Sequence, residues 1–244
     1  MLDPRDLMLP MNRSTLAVCA LLLLACSATR APAQQVGYPP TKSPYQDLTY
    51  GQELSAFSGW YGGSVGQARV GPRAAPLLGL RYEVHIGGPA QFTAQLARVF
   101  SERTVLDPRQ PVATRNLGLR SWPFYLADVG LSLNLTGRKS WHSLVPVVGA
   151  GVGIASDLGK RGDPGAYKFG TPFAFSFGGG LRWTHGGPLM LRADAADHLY
   201  QLHYPDTYFL PPANVPAVLP TRAARAEYTH NLALTIGASY LFFR

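Results

Sequence analysis

Tyr228-Thr-His-Asn-Leu-Ala-Leu-Thr-Ile-Gly-Ala-Ser-Tyr-Leu-Phe-Phe-Arg244 is the stretch that decides the fold. From Asn231 on, small or polar residues (Asn231, Ala233, Thr235, Gly237, Ser239) alternate with apolar ones (Leu232, Leu234, Ile236, Ala238, Tyr240, Phe242). A period of two marks a β-strand with two unlike faces. The segment is as long as a tilted membrane-spanning strand has to be.

Seven earlier segments repeat the pattern. The sequence predicts strands at about Gln52–Tyr61, Pro76–Ile86, Ala90–Phe100, Phe124–Leu135, Leu144–Ile154, Pro172–Thr184 and Leu189–Tyr200. In the second, Leu78, Leu80, Tyr82, Val84 and Ile86 oppose Gly79, Arg81, Glu83 and His85. In the third the alternation breaks at Arg98, which predicts a bulge or a membrane exit there. One face carries Arg81, Glu83, Asp128, Arg182, Arg192 and Asp194; the other is a nearly uncharged band. The small residues Gly149, Gly151, Gly153, Gly178 and Gly180 share the charged face, as a narrow, crowded lumen requires. The links alternate in length. Gly87–Pro89, Thr136–Ser143 and His185–Pro188 are short, whereas Gly62–Ala75, Ser101–Pro123, Ala155–Thr171 and Gln201–Ala226 are long. Short periplasmic turns and long extracellular loops are what an outer-membrane barrel shows, and a soluble meander has no reason to sort its loops so. Two aromatic girdles are expected: Trp141, Trp183, Tyr240 and Phe242 at the turn end, and Trp60, Tyr61, Phe100, Trp122, Tyr125, Phe173 and Tyr200 at the other.

The N-terminus supplies a compartment. A basic Met11-Asn-Arg13, an apolar Leu16–Ala25 and small residues at Ala31-Pro32-Ala33 form a secretory signal. Residues 1–33 are therefore expected to be removed, with Met11 an alternative start. Leu23-Leu24-Ala25-Cys26 also fits a lipobox and offers lipidation at Cys26 as a rival. Residues 34–50, with Pro39, Pro40 and Pro44, read as a periplasmic linker, and 51–244 as the barrel. Both cysteines, Cys19 and Cys26, fall in the signal, so the mature chain has no disulfide to rely on.

The polar-x-Gly-x-x-aromatic-x-aromatic pattern of Thr235, Gly237, Tyr240 and Phe242 resembles the C-terminal assembly signal of bacterial outer-membrane barrels, with Phe243-Arg244 as an extension past it. From about Gly51 onward the chain resembles OmpA-like or OmpX-like barrels. The fold expected is all-β, an eight-stranded antiparallel transmembrane β-barrel with up-and-down meander topology. The resemblance implies outer-membrane lipid, lipopolysaccharide and the barrel assembly machinery as partners.

The inward charges Arg81, Glu83, Asp128, Arg182, Arg192 and Asp194, with Gln91, Gln95 and Asn134, are expected to form a paired interior network, since an isolated buried charge is very costly. A narrow ion path is the competing reading. Arg69, Arg73, Arg103, Arg109, Arg115, Lys160, Arg161, Lys168, Arg222 and Arg225 make the loops basic. Without Arg5, Arg13, Arg30, Asp3 and Asp6 the formal charge passes from +8 to +7. Such a surface suits lipopolysaccharide phosphates; nucleic acid does not belong in this compartment. Tyr204–Pro220, rich in proline and aromatics, is the expected contact surface for an extracellular ligand.

No catalytic, cofactor or metal site is expected. Gly62-x-Ser64-x-Gly66 matches a nucleophile-elbow pattern but lacks the strand–turn–helix setting. Asp197-His198 offers half of an acid/base pair, His230 begins the last strand, and His198 and His203 are poorly spaced for a metal. Gly149-x-Gly151-x-Gly153 is followed by no Lys-Ser/Thr and is no phosphate loop. The reading is a non-enzymatic barrel with a structural or surface-interaction role; a small channel or carrier of hydrophobic ligands, and a lipid-modifying enzyme, are the alternatives.

Overall fold

The computed structural model describes residues 43–210, 212 and 215–242. The signal, Cys26, most of the expected linker, Pro211 and Phe243-Arg244 lie outside them. Twelve strands are present among the described residues: β1 Tyr45–Asp47, β2 Gln52–Gly62, β3 Ala75–Gly87, β4 Ala90–Val99, β5 Glu102–Leu106, β6 Asn116–Ser121, β7 Phe124–Asn134, β8 Lys139–Trp141, β9 Leu144–Ser156, β10 Phe173–Thr184, β11 Leu189–His203 and β12 Ala226–Phe242. Eight of them, β2, β3, β4, β7, β9, β10, β11 and β12, pair antiparallel in chain order. β7 also pairs with β9, so the sheet closes on itself and leaves no edge. The fold is the expected eight-stranded antiparallel meander barrel. No described helix is long and apolar enough to cross a membrane.

Alternation sorts the side chains as the pleat demands. Leu131, Phe175 and Leu234 point outward at 52%, 44% and 54% exposure, while Arg192 lies inside at 5%. Leu78, Leu80, Leu96, Val129, Leu133, Phe177, Leu181, Leu191, Leu232 and Ile236 extend the exposed apolar surface round the perimeter. In water so large an apolar patch is an aggregation hazard; acyl chains would solvate it.

Of the two readings of Arg98, the bulge is not found there. Its ladder runs unbroken, with Leu78 and Tyr125 as register partners, and the one shift in the β3–β4 pairing lies between His85 and Gly87. Arg98 points outward and lies over the rings of Phe100 and Tyr125 at 5.1 and 5.9 Å. The alternation therefore continues through it, and the bulge falls beside the Gly87-Gly88 turn, where Gly88 takes φ +51°.

The short turns sit at one end and the long loops at the other. At the turn end, β1 pairs with β8, and Leu48 and Tyr50 pack with Val145, Met190 and Leu241. These residues of the expected linker thus lie against the barrel's floor. At the loop end, β5 and β6 form a separate hairpin within the link from β4 to β7.

Candidate functional site

The interior is filled by charge in two layers. Nearer the turn end, four fully buried groups interlock. Arg182 donates from Nη2 to both oxygens of Glu83 (2.9 and 3.0 Å) and from Nη1 to Gln91 Oε1 (2.7 Å) and Asn134 Oδ1 (3.3 Å). Arg192 Nη1 donates to Glu53 Oε1 (2.6 Å) and to Glu83 Oε2. Ser239 and Ser55 hydroxyls donate to Glu53 Oε1 at 2.6 and 3.1 Å. Above this layer, Asp194 accepts from Arg192 Nε and Arg81 Nη1, both at 3.0 Å. Arg81 Nε donates to Gln95 Oε1 (2.9 Å), and Gln95 Nε2 donates to Asp128 Oδ2 (2.7 Å). A cavity of about 80 Å³ remains beside Arg81, Asp128, Ser176 and Asp194.

All nine interior residues read from the sequence meet in this network. Glu53 was missed, although it is fully buried and central. Its signal was legible: Glu53, Ser55 and Phe57 alternate with Leu54 and Ala56. A Cβ on Gly151 would meet Val129 O at 2.8 Å and Ser176 Oγ at 2.9 Å, so the packing against the neighbouring strands leaves no room for a side chain there.

The loop end is a packed cap. Arg103 is buried, donates both terminal nitrogens to Asp163 (2.6 Å each), and lies 3.9 Å over Trp122 and 5.1 Å over Tyr167. Tyr167, Tyr204 and Tyr208 stack pairwise at 6.2–6.3 Å. Burial pushes the phenols of Tyr167 and Tyr208 well up, so they stay neutral. Arg115 donates to Pro216 O (2.7 Å) and the Arg73 amide to Glu102 O (2.9 Å), which with the Arg103–Asp163 pair ties all four long links together, and Gln67 donates its amide N and Nε2 to Glu227 of β12 (2.6 and 2.9 Å). Arg103→Ala leaves Asp163 buried without its cation, a loss of about 3–5 kcal/mol for a broken buried pair. Trypsin is then expected to cut residues 100–123 and 157–172 much faster while the barrel's gel mobility is unchanged; equal cutting rates would remove Arg103 as the clamp.

Several sequence expectations change here. Tyr61 and Tyr200 do not join a girdle; both are fully buried and share a hydroxyl hydrogen bond of 2.6 Å across the lumen. Both sit on inward positions of their strands, which position along the strand alone does not reveal. In 204–220, Tyr204, Tyr208, Phe209 and Leu219 are buried in the cap, so that segment's aromatics form the cap's core and not its surface. The reason is closure: aromatic area is buried wherever a lumen must be sealed. Arg103 likewise leaves the open basic surface. Asp197 and His198 face opposite ways, because neighbours in a strand do; His198 is inside, and Asp197 Oδ2 instead lies 2.6 Å from His230 Nδ1. Among the described residues no group of three or more His, Cys, Asp or Glu is placed to hold a metal.

In the C-terminal motif, Thr235 and Gly237 face inward, with Gly237 opposite Phe57. Tyr240 faces outward, and Phe242 stacks on Tyr240 and on Tyr82 at 6.4 and 6.3 Å.

The chain is similar to solved outer-membrane barrels. Neisserial surface protein A shares 12% identity over 82% of this chain and 98% of its own, with a TM-score of 0.43. Ail, the attachment invasion locus protein of Yersinia pestis, shares 12% over 79% and 99%, at 0.39. A major outer membrane protein from Thermus thermophilus shares 11% over 78% and 99%, at 0.34. At such scores the likeness is loose, and the barrel's architecture rests on its own hydrogen-bond register. No protein-family model matches the chain, and no curated protein does.

Proposed function

We propose that this chain is a bacterial outer-membrane barrel whose loop end faces outward and carries a structural or surface-interaction role. The observation that carries the reading is the closed barrel's apolar perimeter around a charged lumen, the arrangement lipid requires of a spanning sheet. The cap supports a surface role. It is stitched by Arg103–Asp163 and Arg115–Pro216, so its outer face is preorganised. Arg69, Arg73, Arg120, Arg161, Lys168 and Arg222 are exposed in the links and β6, and so are the apolar Leu117 and Leu119 of β6. Lipopolysaccharide phosphates or an acidic surface ligand fit that chemistry. The C-terminal motif supports delivery by the barrel assembly machinery.

Protease shaving of whole cells tests the orientation. Cuts are expected in the links after β2, β4, β9 and β11; cuts confined to the links after β3, β7 and β10 would reverse it. A channel is disfavoured because the Glu53–Glu83–Arg182–Arg192 layer, and Leu48 with Tyr50 beneath it, obstruct the lumen. Planar bilayers containing the refolded protein are accordingly expected to stay silent. Steady single-channel steps would favour the conducting reading.

A further inference from the structure

We propose that Arg98 and Lys160 form a site for the phosphate of an outer-leaflet lipid, on the barrel wall where β4 and β7 leave the membrane. The proposal rests on the outer-membrane reading and concerns the wall, not the outer face of the cap.

Asp197 and Arg98 are the charged residues on outward positions of the eight barrel strands. Asp197 has His230 as its partner at 2.6 Å. Arg98 is exposed, leans on the rings of Phe100 and Tyr125 at 5.1 and 5.9 Å, and among the described residues makes no hydrogen bond or ion pair. The rings favour a cation, but neither accepts its in-plane N–H groups as an oxygen would. A guanidinium fork without an acceptor suits a phosphate, which takes two parallel N–H bonds from it.

The register puts Arg98 at headgroup depth. Its neighbours across β3 and β7 are Leu78 and Tyr125. On the turn side of this row the next outward residues of β4 and β7 are Leu96 and Ala94, and Ala127 and Val129, all uncharged. On the loop side stand Phe100 and Trp122. A cation facing acyl chains is costly at the bilayer centre and tolerated near the boundary, where aromatic rings meet the headgroups. The long arginine side chain reaches those headgroups while its stem stays against apolar neighbours.

A second cation comes from the link between β9 and β10. Lys160 Nζ donates to Pro123 O at 2.6 Å and lies 4.9 Å from the centre of the Trp122 ring. Trp122 and Pro123 lead directly into β7, whose second residue is the Tyr125 that Arg98 leans on. Both cations thus engage the loop-side end of β7. Burial holds the Lys160 ammonium below its ordinary value, and the charges of Arg98 and Arg103 press the same way against Asp157. Asp157 is itself buried, accepts from Trp122 Nε1 (3.2 Å) and the Gly159 amide (3.1 Å), and forms no ion pair with either cation. The corner therefore carries an excess of positive charge, which a bound phosphate relieves. The ligand class is a phosphate-bearing lipid, either a phospholipid or the phosphorylated glycolipid of lipopolysaccharide.

The test uses the refolded chain in nonionic detergent, with lipid A, phosphatidylglycerol or inorganic phosphate added separately and a phosphate-free glycolipid as comparator. Native mass spectrometry reads the bound molecules and their dissociation constants. The wild-type protein is expected to hold at least one phosphate lipid about tenfold more tightly than the comparator, the scale of one hydrogen bond to a charged group. The lipid held names the source. Arg98→Gln removes that preference, and Lys160→Gln weakens it. Arg138→Gln, which removes an exposed cation at the turn end, leaves it unchanged. Heat-modifiable mobility confirms that each variant folds. A folded wild-type protein without the preference overturns the proposal, as does a preference that survives Arg98→Gln. An equal loss in Arg138→Gln overturns it too, since attraction is then spread over the surface. Inorganic phosphate bound as tightly as the lipids overturns the lipid assignment. A wild-type chain without heat-modifiable mobility would overturn the barrel reading itself, and this site with it.

Discussion

Arg192→Met is expected to destabilise the refolded barrel by about 3–5 kcal/mol, the scale for removing one member of a buried ion cluster. Arg192 touches Glu53, Glu83 and Asp194, and all three are enclosed. Truncating the cation leaves Glu53 and Glu83 to share Arg182, which reaches Glu53 only at 3.6 Å. The stranded carboxylates then lose more than the hydrogen bonds themselves, because a buried charge without a partner bears its full desolvation cost. Urea unfolding in lipid vesicles measures the change. Adding Glu53→Gln to Arg192→Met is expected to recover part of the loss, since it removes one stranded charge. A single variant within 1 kcal/mol of wild type (roughly the effect of an ordinary surface change) would show that the layer is not a coupled unit.

Ile236→Arg is expected to lower the stability in lipid by about 2–4 kcal/mol, the cost of a cation facing acyl chains near the bilayer centre. Ile236 is 68% exposed and lies midway along the outward face of β12. Tyr228→Arg, at the rim of the same strand, should cost about 0–1 kcal/mol. The depth dependence makes the pair decisive. On a water-soluble barrel both positions are solvated, and both substitutions are close to neutral. Equal and small effects in vesicles would remove the membrane from the account.

The strands were legible because a closed barrel repeats one rule. Each of the eight obeys a period of two, and bounds read from the sequence fall close to the observed ones; the largest shift is at β11, read to Tyr200 and observed to His203. The wall of Gly149, Gly151 and Gly153 is visible as a pattern, and so is the face shared by Arg81 and Glu83. The pairing of Arg182 with Glu83 across the lumen is not. It joins β10 to β3, strands that share no edge, and no local period encodes a contact across a closed cylinder.

The loops were legible only as lengths. Nothing periodic marks β5 and β6, and Arg103 reads like any loop arginine until Asp163 and Trp122 enclose it. Tyr204 and Tyr208 were read as surface because prolines and aromatics in a long link suggest an exposed arm; the need to seal the lumen buried them. Asp197 was matched with the adjacent His198, yet its partner is a diagonal neighbour on the next strand.

The sequence by itself determined the eight barrel strands, the face of every inward charge but Glu53 and the sorting of short turns from long links. All three follow from the backbone's alternation and from the free energy of placing apolar side chains on one side. Tertiary structure alone decided which acid meets which arginine, how the cap closes and what stands beside His230. Those depend on shear, on distances across the lumen and on links that converge from far apart in the chain, and a linear pattern carries none of these.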